Sequence, residues 1–115
     1  MPRPVPPLEV HKFGGASLAD AAAIRHAVAI IRDRAFPRVV VVSAMAGVTD
    51  LLLGVAAAAR AGDLDTAAQS ARLLRDRHVA AVKSLVSAGP ARTELLAFVD
   101  SQVSELETLA RGLSI

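Results

Sequence analysis

Two short strand-like segments, each ending on a glycine-bearing turn and separated by one helical pattern, constrain this chain more than any other feature. Leu8 to Phe13 alternates loosely and stops at Gly14-Gly15, residues that tolerate unusual backbone angles. Arg38 is followed by Val39-Val40-Val41-Val42, a β-branched run of the kind found in a strand covered on both faces, so an interior place in the sheet is expected. Between them Ile24, Ala27, Val28 and Ile31 recur at helical spacing, with Arg25, Arg32 and Arg34 on the other side, until Phe36-Pro37 interrupts. Ser17 is placed to open this helix, with Asp20 three residues on as in a capping box. Strand, helix and strand in so little chain give a right-handed βαβ unit whose two strand ends share one edge. Both glycine turns therefore open onto that edge.

Such an edge is where an α/β protein holds phosphate. Backbone N–H groups at a helix start carry partial positive charge, glycine allows close approach, and a lysine neutralises what the amides cannot. The two segments are Lys12-Phe13-Gly14-Gly15-Ala16-Ser17 and Ser43-Ala44-Met45-Ala46-Gly47-Val48-Thr49-Asp50. Lys12, at a strand end, reads as a phosphate ligand that stabilises charge during transfer, or as a solvated strand-end lysine. Gly14 and Gly15 read as the approach to a phosphoryl group or as ordinary turn glycines. Ser17 reads first as a helix cap and second as an anion ligand. Ser43 and Thr49 carry hydroxyls that either meet a small polar substrate or satisfy loop and helix-end amides. The lysine precedes the glycines and no Gly-Lys-Ser/Thr ending follows, so this is not a P-loop.

The remainder of the chain reads as helical. Thr49 to Arg60 is rich in leucine and alanine and stops at Ala61-Gly62. A long helix is expected from about Asp63 to Ala88, with Leu74, His78, Ala81 and Leu85 along one face, and Gly89-Pro90 ends it. The last segment starts near Pro90 and places Leu96, Val99, Val103, Leu106, Ala110 and Leu113 at alternating three and four spacing, the seam of an antiparallel hairpin. His78 on that apolar face reads as a hydrogen-bonded packing residue, while His11 and His26 read as surface or strand-flank residues. Asp63, Asp65 and Asp76 fit helix starts and solvated faces.

Composition removes several classes of function. The 115 residues are 53% hydrophobic and 21% charged, a globular balance, and the longest apolar runs are too short to cross a bilayer. Net charge is only +2, and there is no tyrosine or tryptophan, so neither a basic face nor a base-stacking platform for nucleic acid is expected. Zero cysteines exclude disulfides, thiolate metal sites and a cysteine nucleophile, and no histidine pair has zinc-ligand spacing. The proline-rich start, residues 1–8, has no apolar signal-peptide core and reads as a disordered tail. A cytoplasmic location is the expectation.

The two glycine segments together resemble the signatures of the aspartate kinases. Lys12-Phe13-Gly14-Gly15-Ala16-Ser17-Leu18-Ala19-Asp20 is similar to that family's N-terminal Lys-Phe-Gly-Gly-Thr-Ser signature, and Val40 to Asp50 is similar to its valine-rich strand leading into Ser-Ala-Met-x-Gly-Val-Thr-Asp. The helices, from Phe98-Val99-Asp100 to Leu109-Ala110-Arg111-Gly112-Leu113-Ser114, are similar to the kinase portion of bifunctional aspartokinase-homoserine dehydrogenases. The resemblance implies an α/β chain with part of the three-layer α/β/α amino-acid kinase fold, a βαβ unit followed by an α-helical hairpin. Residues 9–115 would be the N-terminal part of the catalytic domain, with a βαβα unit over 9–61 and the hairpin over 62–115.

The same resemblance implies transfer of the ATP γ-phosphoryl group, as the magnesium complex, to the side-chain carboxylate of L-aspartate. Carried over by position, Lys12 would bind phosphate and stabilise transfer, Gly14 and Gly15 would supply the approach, Ser17 would support the loop, Ser43 would lie near the phosphates, and Thr49 would help hold aspartate. Ala16 departs from the family by standing where threonine is usual. The family's acidic substrate-binding residue, carboxylate-binding arginine and glycine-rich nucleotide segment come later than this stretch. These 115 residues alone are thus expected to be inactive, to hold no tightly bound cofactor, and to self-associate as a homo-oligomer held partly by the seam from Leu96 to Leu113. The rival readings are another amino-acid kinase, which the Ser-Ala-Met-x-Gly-Val-Thr-Asp segment argues against, and a non-catalytic helical interaction module.

Overall fold

A computed structural model describes residues 2–5, 7–35 and 37–115 and divides the chain into two compact units, one ending at Ala46 and one starting at Gly47. The architecture is mixed α/β. Phe36, read as part of the helix-breaking pair, and Met1 and Pro6 of the proline-rich start lie outside the described residues.

The first unit contains β1 (Glu9–Phe13), a single 3₁₀ turn (Gly15–Leu18), α1 (Ala21–Arg32) and β2 (Arg38–Val42). The strands pair in parallel, Glu9 with Arg38 through Phe13 with Val42. Two features of the helix start differ from the expectation. Ser17 does not cap α1; its backbone N–H closes the 3₁₀ turn on the Gly14 carbonyl at 3.0 Å. Asp20 is the cap, in extended geometry, and its Oδ1 accepts from the Ala23 N–H at 2.9 Å. The tight turn consumes the residues that would have formed the first helical turn, so the cap moves three residues on. Ala27 is buried and Ile24 and Ile31 pack on Phe13 and Leu18, whereas Val28 points outward.

β2 is not the interior strand that its valines suggest. All five of its residues are exposed, and Val42 is 61% so. Its strand neighbour is β1, and the small core of this unit gathers around Phe13 and Leu18 rather than around the valines. A β-branched run specifies a strand that suits two covered faces; the described residues supply the strand without the cover.

At the starting end of the sheet, Glu9 gathers two basic side chains. Arg34 meets its carboxylate side-on, Nη2 to Oε1 at 2.8 Å and Nε to Oε2 at 2.9 Å, and His11 Nε2 lies 3.0 Å from Oε2. His11 also stacks on Phe13, with ring centroids 6.5 Å apart and planes within 10°. Alternation along β1 places Glu9, His11 and Phe13 on one face. His11 is accordingly part-buried rather than a surface residue.

The second unit is a packed trio, α2 (Val48–Arg60), α3 (Leu64–Leu85) and α4 (Pro90–Leu113). Helix α3 packs on α4, as the hairpin reading requires, and α2 packs on both. α2 stops in a Schellman motif: Gly62, at φ +78°, donates to the Ala59 carbonyl at 3.0 Å and Asp63 donates to that of Ala58 at 2.9 Å. Asp63 then caps α3, its Oδ1 accepting from the Thr66 N–H and its Oδ2 from the Thr66 hydroxyl. The centre is built of small residues, Ala59, Ala67, Ala71 and Ala110 around Val55 and Leu74. Small side chains let three helices approach closely over a short core. His78 bonds the Leu74 carbonyl through Nδ1 at 2.7 Å. Arg75 joins α3 to Asp100 of α4 at 2.7 Å, and Arg92 donates to the carbonyls of Val86 and Lys83 where α3 ends. Ala110 closes the α4 seam, while Leu113 is 51% exposed and falls outside it.

Both Glu9 and Asp63 have carboxyls held below their ordinary pKa, Glu9 chiefly by the Arg34 hydrogen bonds and Asp63 chiefly by Thr66. A depressed folded pKa gives stability that is complete above the unfolded value and is lost as pH falls through the folded one. Acid titration of thermal stability should therefore show a decline beginning below about pH 4.5. In Glu9→Gln that decline should be shallower, and an unchanged slope would remove Glu9 from the account.

Candidate phosphate-binding site

The site is assembled by strand pairing. Because Lys12 stands opposite Val41 and Phe13 opposite Val42, the two strands end level, and the Ser43 N–H continues the ladder to the Phe13 carbonyl at 3.0 Å. Beyond that bond the two chains diverge into their turns. They remain in contact at one point: a Cβ added to Gly15 would stand 3.6 Å from the Ala46 Cα and 3.7 Å from the Ala44 carbonyl oxygen. The two segments read from the sequence as neighbours therefore touch through Gly15 and Ala44–Ala46.

The backbone of the first turn is available. Gly14 is extended at φ −82° and ψ −179°, and the next three residues form the 3₁₀ turn. Among the described residues no backbone hydrogen bond uses the amides of Gly14, Gly15 or Ala16. Unbonded amides at a turn preceding a helix are what an anion requires. Lys12 is exposed and, by strand alternation, lies on the face opposite Phe13 and the core. Its ammonium is thus kept out of the packing and left at the level where the strands end.

The hydroxyls are less uniform. Ser17 is exposed on the 3₁₀ turn. The Ser43 hydroxyl donates to the Ala44 carbonyl at 2.7 Å, a local bond that leaves its oxygen lone pairs available as acceptors. Thr49 is exposed in the first turn of α2, within the second unit. Ahead of it Gly47 has φ +81°, a left-handed conformation that the turn into α2 requires, and the guanidinium of Arg77 lies 3.3 Å from where a Cβ would be. Arg77 was not singled out in the sequence, because its place beside Gly47 is set by the packing of α3 on α2. Among the described residues no three His, Cys, Asp or Glu side chains are grouped to hold a metal.

A parallel strand pair joined through one helix and followed by a helical portion defines an α/β protein. The pattern of the amino acid kinase family matches residues 7–102, and the chain belongs to that family. The α/β architecture agrees with part of the family's fold, followed by a helical portion. A relative in Arabidopsis thaliana, the chloroplastic bifunctional aspartokinase/homoserine dehydrogenase 2, is 30% identical over 107 residues, covering 92% of this chain and 12% of the relative. The chain thus spans about an eighth of that relative's length. No helix among the described residues is long and apolar enough to cross a membrane.

The two glycine turns make opposite demands on their glycines, and this is testable without a ligand. Gly14 has ordinary angles and nothing within 4 Å of an added methyl. Gly14→Ala should leave stability unchanged or raise it by about 0.4–1 kcal/mol through the unfolded chain. Gly47→Ala, forced into the left-handed region, should lose about 1–2 kcal/mol. Thermal melts of the two variants in the opposite order would overturn the backbone assignment.

Proposed function

We propose that residues 9–115 are the N-terminal part of an aspartate kinase catalytic domain, and that the paired strand ends hold phosphate groups of ATP. In the proposed reaction the bond between the γ-phosphorus and the β,γ-bridging oxygen breaks, releasing ADP. A side-chain carboxylate oxygen of L-aspartate forms the new bond, giving 4-phospho-aspartate. The observation that carries this reading is the set of unbonded amides at Gly14, Gly15 and Ala16, next to Lys12 on an adjoining strand end. Lys12 would supply positive charge as the phosphoryl group transfers. Gly14, which neither its backbone angles nor its neighbours require to be glycine, would be there for close approach of the ligand. Ser17 would support the loop, Ser43 would lie near the phosphates, and Thr49 would help hold aspartate. Magnesium would arrive with the nucleotide, bound through phosphate oxygens. The choice of aspartate as acceptor is supported by the Ser43–Asp50 segment and by the similarity to the plant aspartokinase/homoserine dehydrogenase.

Catalysis also needs groups that fix the acceptor carboxylate and cover the nucleotide, and the aspartate kinase resemblance places these after the stretch in hand. The 115 residues by themselves would therefore bind phosphate groups weakly and not turn over. Pyrophosphate at high millimolar concentration should raise the melting temperature of the chain by mass action. Lys12→Ala should weaken that binding by about tenfold or more, the loss expected for a charge-assisted contact. A phosphotransfer assay with ATP, magnesium and aspartate should give no product from the chain alone and product once the C-terminal part of an aspartate kinase is supplied. Pyrophosphate protection that survives Lys12→Ala would sink the phosphate assignment, and turnover by the chain alone would sink the division of labour.

A further inference from the structure

The alanines that let α3 and α4 approach each other also leave a furrow between them. Val55, Ala67, Ala71 and Ala110 form its buried floor, Leu64 and Ala68 form its wall on α3, and its volume is about 300 Å³, within the size range of small-molecule sites. The floor carries no polar side chain. Three ionisable groups line the rim: Arg72 of α3, and Glu107 and Arg111 of α4. All of these residues belong to the second unit, and nothing in the furrow depends on the proposed kinase reaction.

Elsewhere in this unit arginines are committed, Arg75 to Asp100 and Arg92 to the carbonyls of Val86 and Lys83. On the rim they are not. Arg72 and Glu107 make no side-chain hydrogen bond or ion pair among the described residues, and the Arg111 guanidinium reaches only the Thr108 hydroxyl, at 3.2 Å. Glu107 precedes Arg111 by one helical turn, the favourable order for an ion pair, and still the two stay apart.

The register of the hairpin brings the rim groups to one level. Arg75 bonds Asp100 across the antiparallel pair, and by that register Ala68 stands level with Glu107. Helix side chains lean toward the N-terminus of their own helix, so Arg72 leans toward Ala68 while Arg111 leans toward Glu107. The Arg111–Thr108 bond shows the second of these. Two guanidiniums thus approach from opposite ends the level at which the one carboxylate stands, above an aliphatic floor. A simple anion would be repelled by Glu107, and a simple cation by the two arginines. A ligand that carries carboxylate and ammonium on one carbon, with an aliphatic chain for the floor, is complementary to all of them.

We propose that this furrow binds a free α-amino acid with an aliphatic side chain, its carboxylate held by Arg72 and Arg111, its ammonium by Glu107 and its side chain by the alanine floor.

Amide NMR of the isotope-labelled chain tests this directly. L-Leucine at millimolar concentration, with L-valine and L-methionine run beside it, should shift the signals of Ala67, Ala68, Ala71 and Ala110 along a saturable curve. The analogues 4-methylpentanoate, which lacks the ammonium, and 3-methylbutylamine, which lacks the carboxylate, should each bind about tenfold more weakly, the loss expected when a charge-assisted contact is removed. Arg72→Gln, Arg111→Gln and Glu107→Gln should each weaken the amino acid several-fold, and Ala68→Leu, which fills the furrow, should abolish its binding. In case Ala68→Leu disturbs the packing of α3 on α4, the three glutamine variants, which alter only rim side chains, give an independent reading. No saturable shift with any of the three amino acids would overturn the proposal. Binding of 4-methylpentanoate as tight as that of L-leucine would overturn it as well, and so would glutamine variants that bind as the unaltered chain does.

Discussion

The parallel register of β1 and β2 is the constraint on which the site depends. Phe13 pairs with Val42, and only in that register do both strands finish level, with Gly15 able to rest against Ala44–Ala46. A shift of one residue would turn the side chains of β1 to the opposite faces. Lys12 would then point into the core beside α1, and Phe13 would face water. The register is held from both ends. At one end Glu9, Arg34 and His11 tie the start of β1 to the chain just after α1; at the other, Phe13 and Leu18 pack on Ala27, Ile24 and Ile31. The anchoring groups and the proposed phosphate groups thus lie at opposite ends of the same short sheet, so substitutions at one end act on the other through the register alone.

Much of this arrangement was legible in the residues because it is local. The strand–helix–strand succession, the glycine stop of α2 at Gly62, the proline start of α4 at Pro90 and the His78 hydrogen bond each follow from a few neighbouring positions. The helix cap falls on Asp20 instead of Ser17 for a reason that is also local. Ser17 and Asp20 are both good capping residues, and the choice between them depends on whether Gly15–Leu18 form a 3₁₀ turn, which sequence spacing does not reveal. The environment of β2 was not legible for the opposite reason. Valine content records the surroundings a strand is suited to, and whether other elements supply them is a long-range property.

The arginines were the least legible residues in the chain. Arg25, Arg32 and Arg34 formed one polar side of α1 in the sequence, yet Arg34 leaves the helix and becomes the bidentate partner of Glu9, far away in sequence. Arg75 and Arg92 lie among ordinary helix-surface residues in the sequence; in the fold one bridges α3 to Asp100 and the other closes the carbonyl end of α3. Guanidinium groups reach far and donate in a fork, so their partners are chosen by packing rather than by neighbours in the chain. Each of these three, Arg34, Arg75 and Arg92, is committed to a carboxylate or a carbonyl group.

Two apolar surfaces remain, and they differ in kind. The valines of β2 lie on a strand with an open edge, so whatever covers it must satisfy backbone donors and acceptors as well as apolar side chains. That demand favours another strand. The exposed face of α4 has no such requirement, since every helix satisfies its own backbone between its ends, and it asks only for side chains of matching size and spacing. A further helix meets that need. The two surfaces also belong to different units, β2 to the one ending at Ala46 and α4 to the one starting at Gly47. Covering the sheet edge and covering the helix face therefore use different atoms and different physics.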